Sequence, residues 1–305
     1  MELELTTSIV NALHGPYETK EVRLMIYQNA PSEVKEPFVV IHSETHTEIV
    51  LFKKVLLKMF MECHHLFYQW ESLDTYRQRL VCSGLLIVTT ENRTALNMYS
   101  KVLSELTETS IQREVHFIEL LLSCNRAKLN KSSSLWELYK KLYSEYQGRI
   151  KFEVWRTIKL SCDQHFANYY CCNFIKWYYN QLEYQQREAF IKQYIQFAMA
   201  HVSDPSIWTV LGKILRKNDL DCILNFVESL PVTTWPPFSA VLEFASRNMD
   251  IIPIVKERWE QKEGVVFYKG TVIVPKEIED DLNLRTQYLH DGWKSLLLIK
   301  LGHLM

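Results

Sequence analysis

The amino-acid sequence predicts an all-α fold, and three observations lead to this prediction. The 305 residues contain only 8 glycines and 9 prolines, fewer than the many tight turns of a strand-rich fold usually need. Apolar residues recur at three- and four-residue steps over most of the chain, which is the period of an amphipathic helix. One such pattern also repeats along the sequence. Together these features predict an α-α superhelix, that is, a solenoid of helical-hairpin repeats.

The sequence divides into three predicted segments. Residues 1–45 form an irregular, partly stranded N-terminal arm, because glycines and prolines interrupt its short apolar stretches. Residues 46–245 hold the helical repeats, and their first segment, 47–70, is predicted to be one helix. Residues 246–305 form a C-terminal capping segment. Within it a small β-hairpin is predicted at 264–275, where two β-branched and aromatic runs flank Lys269-Gly270.

Charge and cysteine usage narrow the class of protein. The chain has 35 basic and 36 acidic residues and a formal charge of -1, with no basic block, which argues against nucleic-acid binding through phosphates. Seven cysteines without regular spacing are not typical of a disulfide-linked secreted domain. Glu2 and Glu4 stand where a signal peptide would carry positive charge, and no apolar run is long enough to span a membrane. A cytoplasmic protein without a transmembrane segment is predicted.

The repeat has four anchor positions, separated by 40, 36 and 36 residues: Leu96, Trp136, Cys172 and Trp208. The residues three and seven positions after each anchor are also apolar or aromatic, so each triple lies on one face of a helix. Polar residues of the kind that cap helix N-termini precede every anchor. Each unit is therefore predicted to read helix, polar turn, helix, with the anchor in the second helix.

This pattern resembles the α-subunit repeat of protein prenyltransferases, whose consensus is roughly Lys-Asn-Tyr-x-x-Trp-x-x-Arg. The second unit keeps Lys131 and Trp136 at the right separation, and the third keeps Asn168 and Tyr169. The resemblance covers about 76–215. The family's arginine is absent from all four units, which indicates a divergent relative, similar to the α subunit of the type III geranylgeranyltransferase.

The resemblance implies the α subunit of a heterodimeric protein geranylgeranyltransferase. Its partner would be a β subunit of the Rab geranylgeranyltransferase type, which would hold the zinc and the isoprenoid diphosphate, whereas this chain would bind no cofactor. It would present a protein substrate, such as a SNARE, for cysteine thioether formation. Lys131 would be catalytic, because an ammonium group stabilises a departing diphosphate. Asn168 and Tyr169 would face the partner or the diphosphate.

The residues by themselves leave other interpretations open. Lys131 also fits a solvated lysine in a helix-start turn, and Asn168 fits an ordinary helix cap. Cys63-His64-His65 and Cys162-x-x-His165 contain metal-ligand residue types, but adjacent helical residues point about 100° apart and no Cys-x-x-Cys is present, so no metal site is predicted. The alternative function is a non-enzymatic helical-repeat scaffold that binds a protein or peptide on its concave face.

Overall fold

A computed structural model describes residues 2–15 and 21–304 of the chain. These residues form fifteen α-helices and two small sheets, and 66% of the structure is helical, which confirms the predicted all-α fold with minor β structure. The chain divides into two compact units, here called the N-terminal unit (1–171) and the C-terminal unit (172–305).

The N-terminal unit begins with a helix and a three-stranded sheet. Its first elements are α1 Glu4–Leu13, β1 Glu21–Tyr27, β2 Phe38–His42, β3 His46–Phe52 and α2 Lys53–Phe67. The central strand β3 pairs in parallel with β1 and antiparallel with β2. Residues 47–52, predicted as the beginning of a helix, are therefore a strand. The prediction was wrong because a strand buried at the centre of a sheet is a continuous apolar run, which periodicity does not distinguish from a buried helix.

Helices account for most of the remaining chain. They are α3 Thr75–Val88, α4 Arg93–Ser104, α5 Glu108–Leu122, α6 Ala127–Asn130, α7 Ser133–Tyr146, α8 Val154–Gln164, α9 Tyr169–Gln181, α10 Tyr184–Ala200, α11 Pro205–Ile214, α12 Leu220–Ser229, α13 Pro236–Ala245, α14 Ile252–Arg258 and α15 Leu282–Gly302. The boundary between the two units falls within α9. The predicted division at residues 45/46 and 245/246 stays a prediction.

The four anchors occupy equivalent positions, which confirms the predicted repeat. Each is the fourth residue of its helix: α4, α7, α9 and α11. The residue before each of these helices accepts a hydrogen bond from the backbone N–H three positions further on, at 3.1–3.2 Å. These caps are Asn92, Ser132, Asn168 and Asp204. A cap of this kind satisfies one of the amide groups that a helix start leaves unpaired.

The segment before the anchor helix is longer in the second repeat than in the other three. Residues 89–92, 165–168 and 201–204 are four-residue turns, whereas residues 123–132 form a ten-residue connection that contains α6. The longer connection contributes to the 40-residue spacing between the first two anchors. It also carries three cations, Arg126, Lys128 and Lys131.

The hairpin predicted at 264–275 is present. Strands β4 Val266–Tyr268 and β5 Thr271–Ile273 pair antiparallel. Lys269 and Gly270, which join them, both have positive φ, 47° and 77°. A two-residue turn with positive φ at both positions matches the twist of the flanking strands, and glycine adopts such a conformation without strain.

Candidate anion-binding site

A pocket of about 360 Å³ lies where β1 ends and α2 begins. The parallel strands β1 and β3 pair residue by residue as far as Tyr27 and Phe52, and α2 starts directly afterwards at Lys53. In open α/β sheets, ligands bind beyond the carboxyl ends of the parallel strands. The pocket occupies the same position relative to β1 and β3.

The start of α2 has no side-chain cap. The preceding residue, Phe52, has extended backbone and no side-chain acceptor, and the first turn of α2 contains no acidic residue. Lys53 and Leu56, both in that turn, line the pocket. Because uncapped amide groups at a helix start carry partial positive charge, this end of α2 favours a bound anion.

The opposite wall of the pocket comes from the ten-residue connection. The side chain of Asn125 accepts a hydrogen bond from the backbone N–H of Ile26 at 2.8 Å and donates one to its carbonyl at 3.3 Å. This pair of bonds holds the connection against β1. Arg126 and Lys128, which follow Asn125, line the pocket, and Nη1 of Arg126 donates to the carbonyl of Ile87 at 3.3 Å.

Three cations therefore meet at this pocket, and no acidic residue of the described part of the chain lines it. Among the described residues, no carboxylate forms an ion pair with Lys53, Arg126 or Lys128. Burial lowers the pKa of the Arg126 guanidinium, because its positive charge is partly removed from water without a carboxylate beside it. A bound anion would supply the missing charge.

Lys131 lies in a neighbouring cavity of about 620 Å³, which Lys128 also lines. Its ammonium group donates a hydrogen bond to the carbonyl of Phe166 at 2.9 Å. Glu91 borders the same cavity and accepts hydrogen bonds from the hydroxyls of Ser132 and Ser134 at 2.5 and 2.6 Å. Burial alone would raise the pKa of Glu91, but these hydroxyls outweigh it and lower the pKa. The carboxylate makes this cavity less favourable to anions than the first.

Asn168 and Tyr169 have different surroundings. Asn168 is 1% exposed, and its amide group donates to the side chains of Asn130 and Ser161, the latter at 3.0 Å. Tyr169 is exposed, and its ring packs edge-on against Tyr170. The structure thus brings Lys131 to the turn before α9, while Asn168 caps that helix from inside a buried polar network. The catalytic role predicted for Lys131 and the partner- or diphosphate-facing roles predicted for Asn168 and Tyr169 stay predictions.

Metal-ligand residue types do not converge in the described part of the chain. No three histidine, cysteine, aspartate or glutamate side chains there are placed to hold one ion. All seven cysteines are free thiols, six of them buried and Cys222 exposed. None of the helices in residues 2–15 and 21–304 is both long and apolar enough to cross a bilayer.

The fold and the pocket define a helical-repeat protein with a small mixed sheet and a basic pocket. Residues 1–123 match the model of the ECM9 N-terminal domain, and residues 135–230 match that of the ECM9 middle domain. The chain is also 25% identical to Protein ECM9 of Saccharomyces cerevisiae over 344 aligned positions, which cover 92% of this chain and 91% of the relative.

These matches overturn the resemblance to the prenyltransferase α-subunit repeat. The matched models are ECM9 domains and not prenyltransferase α-subunit repeats, so the predicted geranylgeranyltransferase function was wrong. The predicted β-subunit partner and the SNARE substrate have no support either. Nothing in this chain tests the zinc and isoprenoid diphosphate expected on that partner. The resemblance rested on a helix-pair period, helix caps and buried apolar or aromatic anchors, which any array of helical hairpins needs.

Proposed function

We propose that this protein binds a phosphate-bearing small molecule in the basic pocket at the start of α2. One observation carries the proposal: Lys53, Arg126 and Lys128 surround an uncapped helix start, and no described carboxylate neutralises them. Phosphate has several acceptor oxygens, which suits both amide groups and side-chain cations. A volume of about 360 Å³ is near the lower end of ligand sites. It suits a phosphate group with a small substituent.

Calorimetric titration with inorganic phosphate and pyrophosphate tests this proposal. We expect saturable binding that weakens as sodium chloride is added, because chloride competes for the same charges. Lys128→Ala and Lys53→Ala should each weaken binding about 10- to 100-fold, the effect of removing one charge-assisted hydrogen bond.

Lys58→Ala provides the matched control. Lys58 is an exposed lysine of the same helix α2, does not line the pocket and should leave binding unchanged. Equal loss of affinity in Lys58→Ala and Lys128→Ala would contradict the proposal, because it would indicate a diffuse charge effect. The absence of saturable binding to the wild type would contradict it as well.

We also propose that the protein works in the cytoplasm. The seven free cysteines, most of them buried, support this location, because reduced thiols are typical of that compartment.

A further inference from the structure

A second, larger cleft lies elsewhere in the N-terminal unit. It measures about 740 Å³, within the range of small-ligand sites. Its walls come from the end of α1 and the residues that follow it, from α5 and from the segment that leads into α8. Gln112, His116 and Glu119 line it at four- and three-residue steps along α5, so one face of this helix forms a wall.

Glu119 gives this cleft a buried acceptor. Its side chain is 1% exposed, and its Oε1 accepts hydrogen bonds from the Tyr139 hydroxyl at 2.6 Å and from the Glu153 backbone N–H at 2.7 Å. Its Oε2 accepts none from the described residues, although the carboxyl group lines the cleft. This oxygen is not sealed from solvent, so it can accept a hydrogen bond from a ligand bound in the cleft.

Burial and neighbouring groups determine the protonation state of Glu119. Burial raises the pKa of Glu119 to about 7, although the bonds from Tyr139 and Glu153 and the charge of Arg156 oppose the rise. Burial also lowers the pKa of His116, the next titratable residue on this face of α5, to about 4, with help from the charges of Arg156 and His14. His116 is therefore neutral at pH 7, and the Glu119 carboxyl lies close to the midpoint of its titration.

The outer part of the cleft carries cations. Lys151 and Arg113 both line it. The Lys151 ammonium is already paired with the Glu153 carboxylate at 2.5 Å. Arg113 is exposed and pairs with no carboxylate of the described residues. The cleft thus offers a buried carboxyl group in its wall and an unpaired guanidinium at its rim.

We infer that this cleft binds an amino acid with a basic side chain, whose cationic head donates to Glu119 and whose carboxylate pairs with Arg113. The two residues are six positions apart on α5, which corresponds to about 9 Å along the helix axis. The two charges of the ligand must therefore be separated by a chain of several atoms. Arginine and lysine meet this requirement, and glycine does not.

Calorimetry on the full chain with three probes tests the inference. L-arginine carries both charges, citrulline replaces the guanidinium by a neutral group of the same shape, and agmatine lacks the carboxylate. We expect arginine to bind at least about tenfold more tightly than either, the effect of one charge-assisted hydrogen bond. Equal affinity for arginine and citrulline, or no binding of arginine at millimolar concentration, would overturn the inference.

Two variants test separately the contact that each end of the ligand makes with the cleft. Glu119→Gln keeps the acceptor for Tyr139 and should abolish the preference for arginine over citrulline. Arg113→Ala should abolish the preference for arginine over agmatine and leave the preference over citrulline. Arg93→Ala, at an exposed arginine of α4, should alter neither. Since the probe comparison is made first on the wild type, the test stands even if a variant fails to fold.

Proton release gives an independent measurement. Because the pKa of Glu119 is about 7, roughly half of the molecules carry its proton at pH 7, and a bound cation lowers this pKa. Titrations in buffers of different ionisation enthalpy should show about half a proton released per arginine at pH 7 and less at pH 8, a range in which free arginine largely keeps its α-ammonium. Glu119→Gln should release none. Equal release at the two pH values would show that Glu119 does not contact the ligand.

Discussion

Replacing Glu114 by alanine should lower the free energy of unfolding by about 3–5 kcal/mol, because a largely buried cation then loses its counter-charge. The Glu114 side chain is 0% exposed and lies 3.2 Å from Nη1 of Arg79 and 3.2 Å from Nε2 of His14. The hydroxyl of Tyr99 donates to its other oxygen. Burial alone would raise the pKa of Glu114, but His14, Tyr99 and Arg79 together lower it, so the carboxyl group is ionised in the folded protein.

Urea denaturation at pH 7 measures this effect, with Glu137→Ala as the control. Glu137 is exposed and pairs with Lys140 at 2.6 Å, and an exposed pair contributes at most about 1 kcal/mol. The stability that Glu114 provides should also be lost as the pH falls below about 4.3, the ordinary glutamate pKa, because its folded-state pKa is lower than that of the unfolded chain. Equal effects of Glu114→Ala and Glu137→Ala would show that the buried cluster does not stabilise the fold.

Replacing the anchor Trp136 by alanine should have a comparable effect, about 3–5 kcal/mol, the usual cost of removing a buried aromatic side chain. Trp136 is 1% exposed, and its indole N–H donates to the carbonyl of Asn130 at 2.8 Å. Trp208 has the equivalent position in α11, is 0% exposed and donates to the carbonyl of His201 at 3.1 Å. The two substitutions should therefore cost about the same.

Guanidinium chloride denaturation of both variants measures the two losses in the free energy of unfolding. Hydrogen exchange should place the loss in the N-terminal unit for Trp136→Ala and in the C-terminal unit for Trp208→Ala. Trp177 provides the comparison, since it is only half-buried and its replacement by alanine should cost less. Similar losses of stability in Trp177→Ala and Trp136→Ala would mean that the anchor position contributes no more to the packing than a half-buried tryptophan does.

The sequence predicted the repeat because its signals are local. A cap such as Asn92 and an anchor such as Leu96 are four positions apart, and the same helix start fixes both. The strand β3 was missed because its pairing with β1 and β2 is not local. Its continuous apolar run fits a helix and a central strand equally well.

The basic pocket could not be predicted from the sequence for a related reason, since its residues lie far apart along the chain. Lys53 and Arg126 are 73 positions apart, and the hydrogen bonds between Asn125 and β1 help to bring the second near the first. One signal was present: the ten-residue connection carries three basic residues and no acidic one. The motif resemblance drew attention to Lys131 of this connection, whereas Arg126 and Lys128 line the pocket.

The missing arginines of the repeat have a structural counterpart. In the first two repeats, Tyr99 and Tyr139 occupy the arginine positions. Their hydroxyls donate hydrogen bonds to Glu114 and Glu119 of α5. Tyrosine in place of arginine lets these buried positions bind a carboxylate without bringing in a second charge. The absence of the arginines therefore indicates a different packing chemistry at these positions and not a degenerate form of the prenyltransferase motif.

The ten-residue connection places the residues of the proposed anion pocket outside the helices of the repeat. Helices α5 and α7 are fixed by caps at Thr107 and Ser132, so their starts do not depend on the length of the chain between them. A shorter connection that kept Asn130, whose oxygens accept hydrogen bonds from Trp136, Ser161 and Asn168, would resemble the four-residue turns of the other repeats and would remove Arg126 and Lys128. Insertions or deletions between Ser123 and Leu129 would thus alter the proposed anion pocket while the bonds of Asn130 to the repeat helices are inherited.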